Sequence, residues 1–228
     1  MVKTFENGAV VNAELPPLPR LLLAYAPAVA REWQRLCWLL DQRLAAIAQR
    51  GGDPTIAAIR LAWWDAVLVE RDAAKGGGEP LVEQWRTIAP ADVETLAERL
   101  IDGWRALIAP EAMSDDDLTV YAGARGGGLF GLLAAGTTAS GQGEAIDAAG
   151  RAWALWDLAA HARDEALARR ALLLAREAAG ASVPRGRELK PLRLARAAVG
   201  PDIAAARVPE GGFSARHYGR LLLAALRG

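Results

Sequence analysis

Apolar residues recur at three- and four-residue steps along most of the chain. From Arg20 to Arg50 they fall at Leu22, Val29, Trp33, Leu36, Leu40, Leu44 and Ile47 before Gly51-Gly52, a spacing that predicts one long amphipathic helix. Asp53 followed by Pro54 supplies an N-cap and a first-turn proline for a second helix, which runs through "AAIRLAWWDAVLVERDAA" to the loop "KGGGEP". Pro80 opens a short helix that Pro90 closes, and a stripe from Val93 to Leu107 predicts the next. The longest pattern, about Glu144 to Ala179, predicts a single helix, followed by one near Pro191 and a last one from Ser214 to Arg227 with Ser214 as its N-cap. There is no strand-like alternation and no fixed-period repeat. The expectation is an all-α single helical bundle of seven or eight helices over residues 20–228, preceded by an extended leader, residues 1–19, that lacks periodicity and ends in "ELPPLP".

Composition agrees with helices. Alanine occurs 50 times in 228 residues against 20 valines and isoleucines together, a ratio that favours helix over strand. The single cysteine, Cys37, excludes an internal disulfide framework and points to a reducing cytoplasmic compartment. The 18-residue uncharged stretch Gly126–Gly143 holds seven glycines and ends in Thr, Ser and Gln, so it predicts no transmembrane segment. "RLLLAYAPAVA" reads as a core helix rather than a signal peptide, since it follows Glu6 and Glu14 and contains Pro27.

The zero net charge conceals a division: residues 1–150 carry −7 and residues 151–228 carry +7. Two packed halves of opposite sign attract each other, and a basic half also suits phosphates or acidic headgroups. No basic arm with interleaved aromatics is present, so no nucleic acid partner is expected.

Few residues offer chemistry. The run Ser114-Asp115-Asp116-Asp117 has the spacing of a helix cap, and its adjacent acids point in different directions around a helix rather than toward one metal. Arg60 and Trp64 share a helix face, with Trp63 beside them, which suits core packing and also a cation-π site. Asp65 is expected to pair with Arg60 or a neighbouring helix. Asp157, His161 and Glu165 stand at four-residue steps, each a rotation of about 40° on a helix, and so form a candidate metal set. The bland reading pairs Asp157 with His161 and Glu165 with Arg169. The glycine-rich "YAGARGGGLFGLLAAG" lacks the strand–turn–helix context of a nucleotide loop and suits close backbone approach instead. No catalytic nucleophile is assigned, because neither Cys37 nor any serine has an activating context.

The order of "RLAWWDAVL", "GEPL", "YAGARGGGLFGLLAAG", "GRAWALWDLAAHARDEA", "KPLRLARAA" and "RHYGRLLLAALRG" resembles the squalene/phytoene synthase family over residues 20–228. The short bacterial members and the respiratory complex I assembly-factor branch are most similar. The resemblance implies an isoprenoid synthase fold with a central apolar cavity. Active members join two prenyl diphosphates head to head with Mg²⁺ held by two aspartate-rich motifs. Here the first motif offers Asp41 alone, followed by Arg43. The second, in register with Gly150 and Ala152, offers Asp157, His161 and Glu165; a register shifted by three residues matches Arg163-Asp164 and leaves Ala168 at the second acid position.

By this resemblance, Asp41, Arg43, Arg60, Trp64, Tyr121 and Arg163 are candidates for substrate binding. It also implies a protein whose aspartate-rich motifs have degraded into a non-catalytic prenyl- or lipid-binding or assembly role, with a prenyl diphosphate, other isoprenoid or protein as partner, cytoplasmic or peripheral to the inner membrane. The alternative is a Mg²⁺-dependent prenyltransferase; Mg²⁺ is a cofactor only in that case. A plain structural bundle with a filled cavity is the third reading.

Overall fold

A computed structural model describes residues 15–49, 53–108, 112–137, 141–180, 183–209 and 213–227. They form helices and no strands. The helices are α1 Pro17–Ala24, α2 Ala28–Ala48, α3 Pro54–Leu68, α4 Pro80–Ile88, α5 Glu94–Arg105, α6 Asp115–Tyr121, α7 Gly127–Ala134, α8 Gly143–His161, α9 Glu165–Ala179, α10 Lys190–Ala204 and α11 Ala215–Arg227. A π-helical turn, Ala122–Gly126, joins α6 to α7 into one continuous rod, so the described residues hold ten helices rather than seven or eight.

The local signals for helix starts act as expected. The Asp53 carboxylate accepts the Thr55 backbone N–H at 2.8 Å ahead of Pro54. Ser114 and Asp117 form a reciprocal capping box, which absorbs the acidic run into a helix start. At α11 the His217 ring reaches back to the helix start, where the Ser214 N–H donates to His217 Nδ1 at 3.0 Å.

Two expected helices are each divided. The Arg20–Arg50 pattern breaks at Tyr25–Pro27, because Pro27 adopts an extended backbone (ψ 142°) and offers no N–H to continue α1. The Glu144–Ala179 pattern breaks after His161. Ala162 turns extended (ψ 133°), and Asp164 then caps α9 through the Ala166 N–H at 2.9 Å. Of the expected leader, residues 1–14 lie outside the described residues, Leu15 is buried, and helix begins already at Pro17. The glycine pair expected to stop α2 also lies outside them.

The rod α8 is central, packed against α7, α9, α10 and the π turn, while α5 crosses α7 and the π turn from the other side. Glycine makes this crossing possible. A Cβ on Gly126 would stand 2.3 Å from the Gly150 carbonyl oxygen, and one on Gly150 would stand 2.1 Å from that of Gly126. A Cβ on Gly103 of α5 would likewise meet the Arg125 backbone nitrogen at 2.3 Å. The backbones of three helices therefore meet around the π turn, and Arg125, on that turn, is carried into the core.

Candidate functional site

Arg125 is buried at 3% exposure, which demands compensation for its charge. Asp41 of α2 provides most of it: Arg125 Nε donates to Asp41 Oδ1 at 3.1 Å and Nη2 to Oδ2 at 2.9 Å. Asp157 of α8 accepts from Nη1 at 2.7 Å, and the same nitrogen donates to the Tyr121 hydroxyl at 2.6 Å. The guanidinium also lies over two indoles, 4.0 Å from the Trp104 ring centroid and 4.8 Å from that of Trp153. Trp104 Nε1 donates to Asp41 Oδ1 at 2.8 Å, so both oxygens of this buried carboxylate are engaged.

This cluster shapes the proton inventory. Burial would lower the Arg125 pKa, but the neighbouring Asp41 and Asp157 carboxylates outweigh it and hold the guanidinium charged. Burial pushes the Tyr121 phenol up to about 12, against the opposing pull of Arg125, so it stays protonated at neutral pH.

The cluster forms one wall of a cavity of about 460 Å³, a size typical of small-ligand sites. Its apolar lining includes Leu18, Trp38, Ala45, Trp153, Trp156 and Phe213, and its polar lining is Asp41, Gln42, Gln49, Arg125, Asp157 and His161. Trp38 meets Trp153 edge to face with centroids 5.2 Å apart, which fixes the aromatic wall.

The structure thus brings Asp41, Tyr121 and Asp157 together, with His161 at the cavity edge. His161 is exposed and its Nδ1 lies 2.8 Å from the Asp157 carbonyl oxygen, a bond in which Nδ1 donates. Glu165 does not join them. The break after His161 puts it on α9, exposed and bonded to Arg169 at 2.5 Å, so the single helical face expected for Asp157, His161 and Glu165 is not formed. Arg163 sits exposed in the connection between α8 and α9. Arg43, Arg60 and Trp64 line a separate recess of about 240 Å³ with Glu79, to which Arg43 is ion-paired at 3.0 Å. Asp65 pairs with Arg105 on α5 rather than with Arg60.

Mg²⁺ requires near-octahedral oxygen ligands at roughly 2.0–2.1 Å. Asp41 has no oxygen outside the Arg125 and Trp104 bonds, and Asp157 shares one oxygen with the same guanidinium. Among the described residues no group of three or more His, Cys, Asp or Glu side chains is placed to hold a metal ion. These carboxylates, bonded as they are, do not fit Mg²⁺.

Sequence reasoning did not single out Arg125, although one signal was present: it is the only charged residue between Asp117 and Glu144. An isolated charge within a segment that must be buried implies a partner from elsewhere in the chain. Trp104, Trp38, Trp156 and Phe213 carry no local mark of a shared cavity.

No family model, curated protein or solved structure matches the chain. The architecture and the Arg125 cluster are therefore the basis for a functional reading. Among the described residues no helix is long and apolar enough to cross a membrane.

Proposed function

We propose that this protein is a squalene/phytoene synthase-like bundle that holds an apolar prenyl or lipid chain without condensing it. The observation that carries the reading is the single guanidinium of Arg125 bonded to both Asp41 and Asp157 at one wall of an aromatic cavity. In the family the resemblance suggests, the two motifs gather divalent cations that stabilise a departing diphosphate. Here a fixed organic cation sits between the corresponding carboxylates. It neutralises them in place and leaves the apolar space beside it available to a hydrocarbon chain, whose burial supplies roughly 0.8 kcal/mol per methylene.

Thermal unfolding tests this. A ligand that binds only the native state at a hundredfold excess over Kd adds about 2.7 kcal/mol, which raises Tm by roughly 5–10 °C for a chain of this size. Farnesol and farnesyl thiodiphosphate are expected to raise Tm equally with and without Mg²⁺, and incubation with farnesyl diphosphate and Mg²⁺ is expected to give no condensed hydrocarbon. Mg²⁺-dependent condensation that disappears in Asp41→Asn or Asp157→Asn protein would establish the prenyltransferase reading instead. Absence of any shift would leave the bundle without a prenyl ligand.

A further inference from the structure

We propose that the outward face of α11 is a docking surface for an anionic lipid bilayer. Only one side of this helix meets the protein: His217 and Leu221 are buried, and Ala224 and Ala225 are half-buried against the bundle. Tyr218 (46% exposed), Leu222 (36%), Leu223 (55%) and Leu226 (79%) point the other way. At about 100° per residue they span an arc of roughly 140°, which also contains Ala215 and Gly219 and no charged residue. Four large apolar side chains on one exposed helix face form a contiguous patch of a kind that water-facing helices avoid.

The surroundings of the patch decide between occupants. Arg216 and Arg227 fall along one edge of the arc, and the Lys190 ammonium reaches the opposite edge, donating to the Ala225 carbonyl at 3.2 Å. The helix itself contains no acidic residue, and residues 183–227 carry nine Lys and Arg against three Asp and Glu. A second copy of the same face would bring these cations together, whereas an anionic headgroup layer would pair with them while acyl chains receive the leucines. An apolar face bordered by arginine is the pattern of a helix lying in the bilayer interface.

Anchorage supports the same geometry. His217 Nε2 lies 2.5 Å from Asp202 Oδ2 and Arg220 Nη2 lies 2.9 Å from Asp202 Oδ1, so the inner polar side chains of α11 are tied to α10 and the apolar arc cannot roll inward without breaking them. This inference does not depend on the cavity's ligand.

Co-sedimentation of the full chain with vesicles of phosphatidylcholine, with and without phosphatidylglycerol, tests it. Binding is expected only to the phosphatidylglycerol vesicles, weakening with added salt. Leu226→Glu is expected to abolish binding with unchanged circular dichroism and Tm, and Arg216→Gln and Arg227→Gln each to weaken it about fivefold. The proposal is overturned if phosphatidylglycerol vesicles leave the protein in the supernatant, if both vesicle types bind equally, or if Leu226→Glu binds as the native chain does. It is also overturned if light scattering shows a dimer that Leu226→Glu dissolves, which would assign the face to a second copy.

Discussion

Arg125 and Asp41, 84 residues apart in the chain, meet through two hydrogen bonds of 3.1 and 2.9 Å, one to each carboxylate oxygen, in the interior of the bundle. Such a paired contact fixes both position and orientation, which a lysine ammonium would not do. Its other attachments, to Asp157 and Tyr121 and across the faces of Trp104 and Trp153, make the guanidinium the common partner of α2, α5, α6 and α8.

Removing the cation alone should therefore be costly. Arg125→Met leaves Asp41 buried with only the Trp104 N–H, and breaking a buried pair in this way costs about 3–5 kcal/mol. Adding Asp41→Asn removes the stranded charge and should recover a large part of that loss. Urea unfolding with an unchanged m-value reads both effects. A loss under about 1 kcal/mol for Arg125→Met would show that the pair is not the structural centre described here.

The glycine crossing gives a second test. Gly126→Ala and Gly150→Ala each place a methyl within 2.3 Å of an opposing carbonyl oxygen, and backbone cannot step aside as a side chain can. Each should destabilise by about 1–3 kcal/mol or more. Gly143→Ala has no heavy atom within 4 Å of the added carbon and stands at the start of α8, so it should be neutral or stabilising by up to about 1 kcal/mol.

Much of this architecture was legible because helix starts are local events. Asp53, Pro54, Ser114 and Asp117 act on neighbours two to four residues away, and their spacing alone is enough. The breaks at Pro27 and at Ala162–Asp164 escaped notice because apolar periodicity runs on across both; what interrupts the helix is a backbone without an N–H in one case and a competing side-chain cap in the other. The same miss misplaced Glu165, since a three-residue set on one helix face requires one helix. Asp41 and Asp157 were singled out in the sequence, and the structure brings both to one guanidinium. Their partner was not, because whether Arg125 faces solvent or core is decided by Gly103 and by carboxylates 84 and 32 residues away.

Acid should unfold α11 from α10 through Asp202. Burial by itself would raise the Asp202 pKa, but hydrogen bonds from Arg220 and His217 and the charge of Arg220 outweigh it and hold the carboxyl below its usual value. A depressed folded pKa contributes stability that is fully present above the unfolded value of about 3.9 and is lost as pH falls through the folded value below it. Asp202→Asn should be less stable than the native chain at neutral pH, and the difference should vanish in strong acid. A difference independent of pH would show that the carboxylate charge is not what holds the two helices.

The cavity itself can be tested without touching its charges. Ala45 lines it from α2 and is half-buried, so Ala45→Trp places an indole in the space proposed for a hydrocarbon chain while the Arg125 bonds remain. This variant should keep Tm within roughly 2–4 °C of the native value, equivalent to about 1 kcal/mol for a chain of this length, yet lose the rise produced by farnesol. Arg60→Ala, in the separate recess with Trp63 and Trp64, should retain that rise in full. The opposite pattern, with Arg60→Ala losing the response and Ala45→Trp keeping it, would move the ligand to the recess beside α3 and leave the larger cavity with a purely structural part.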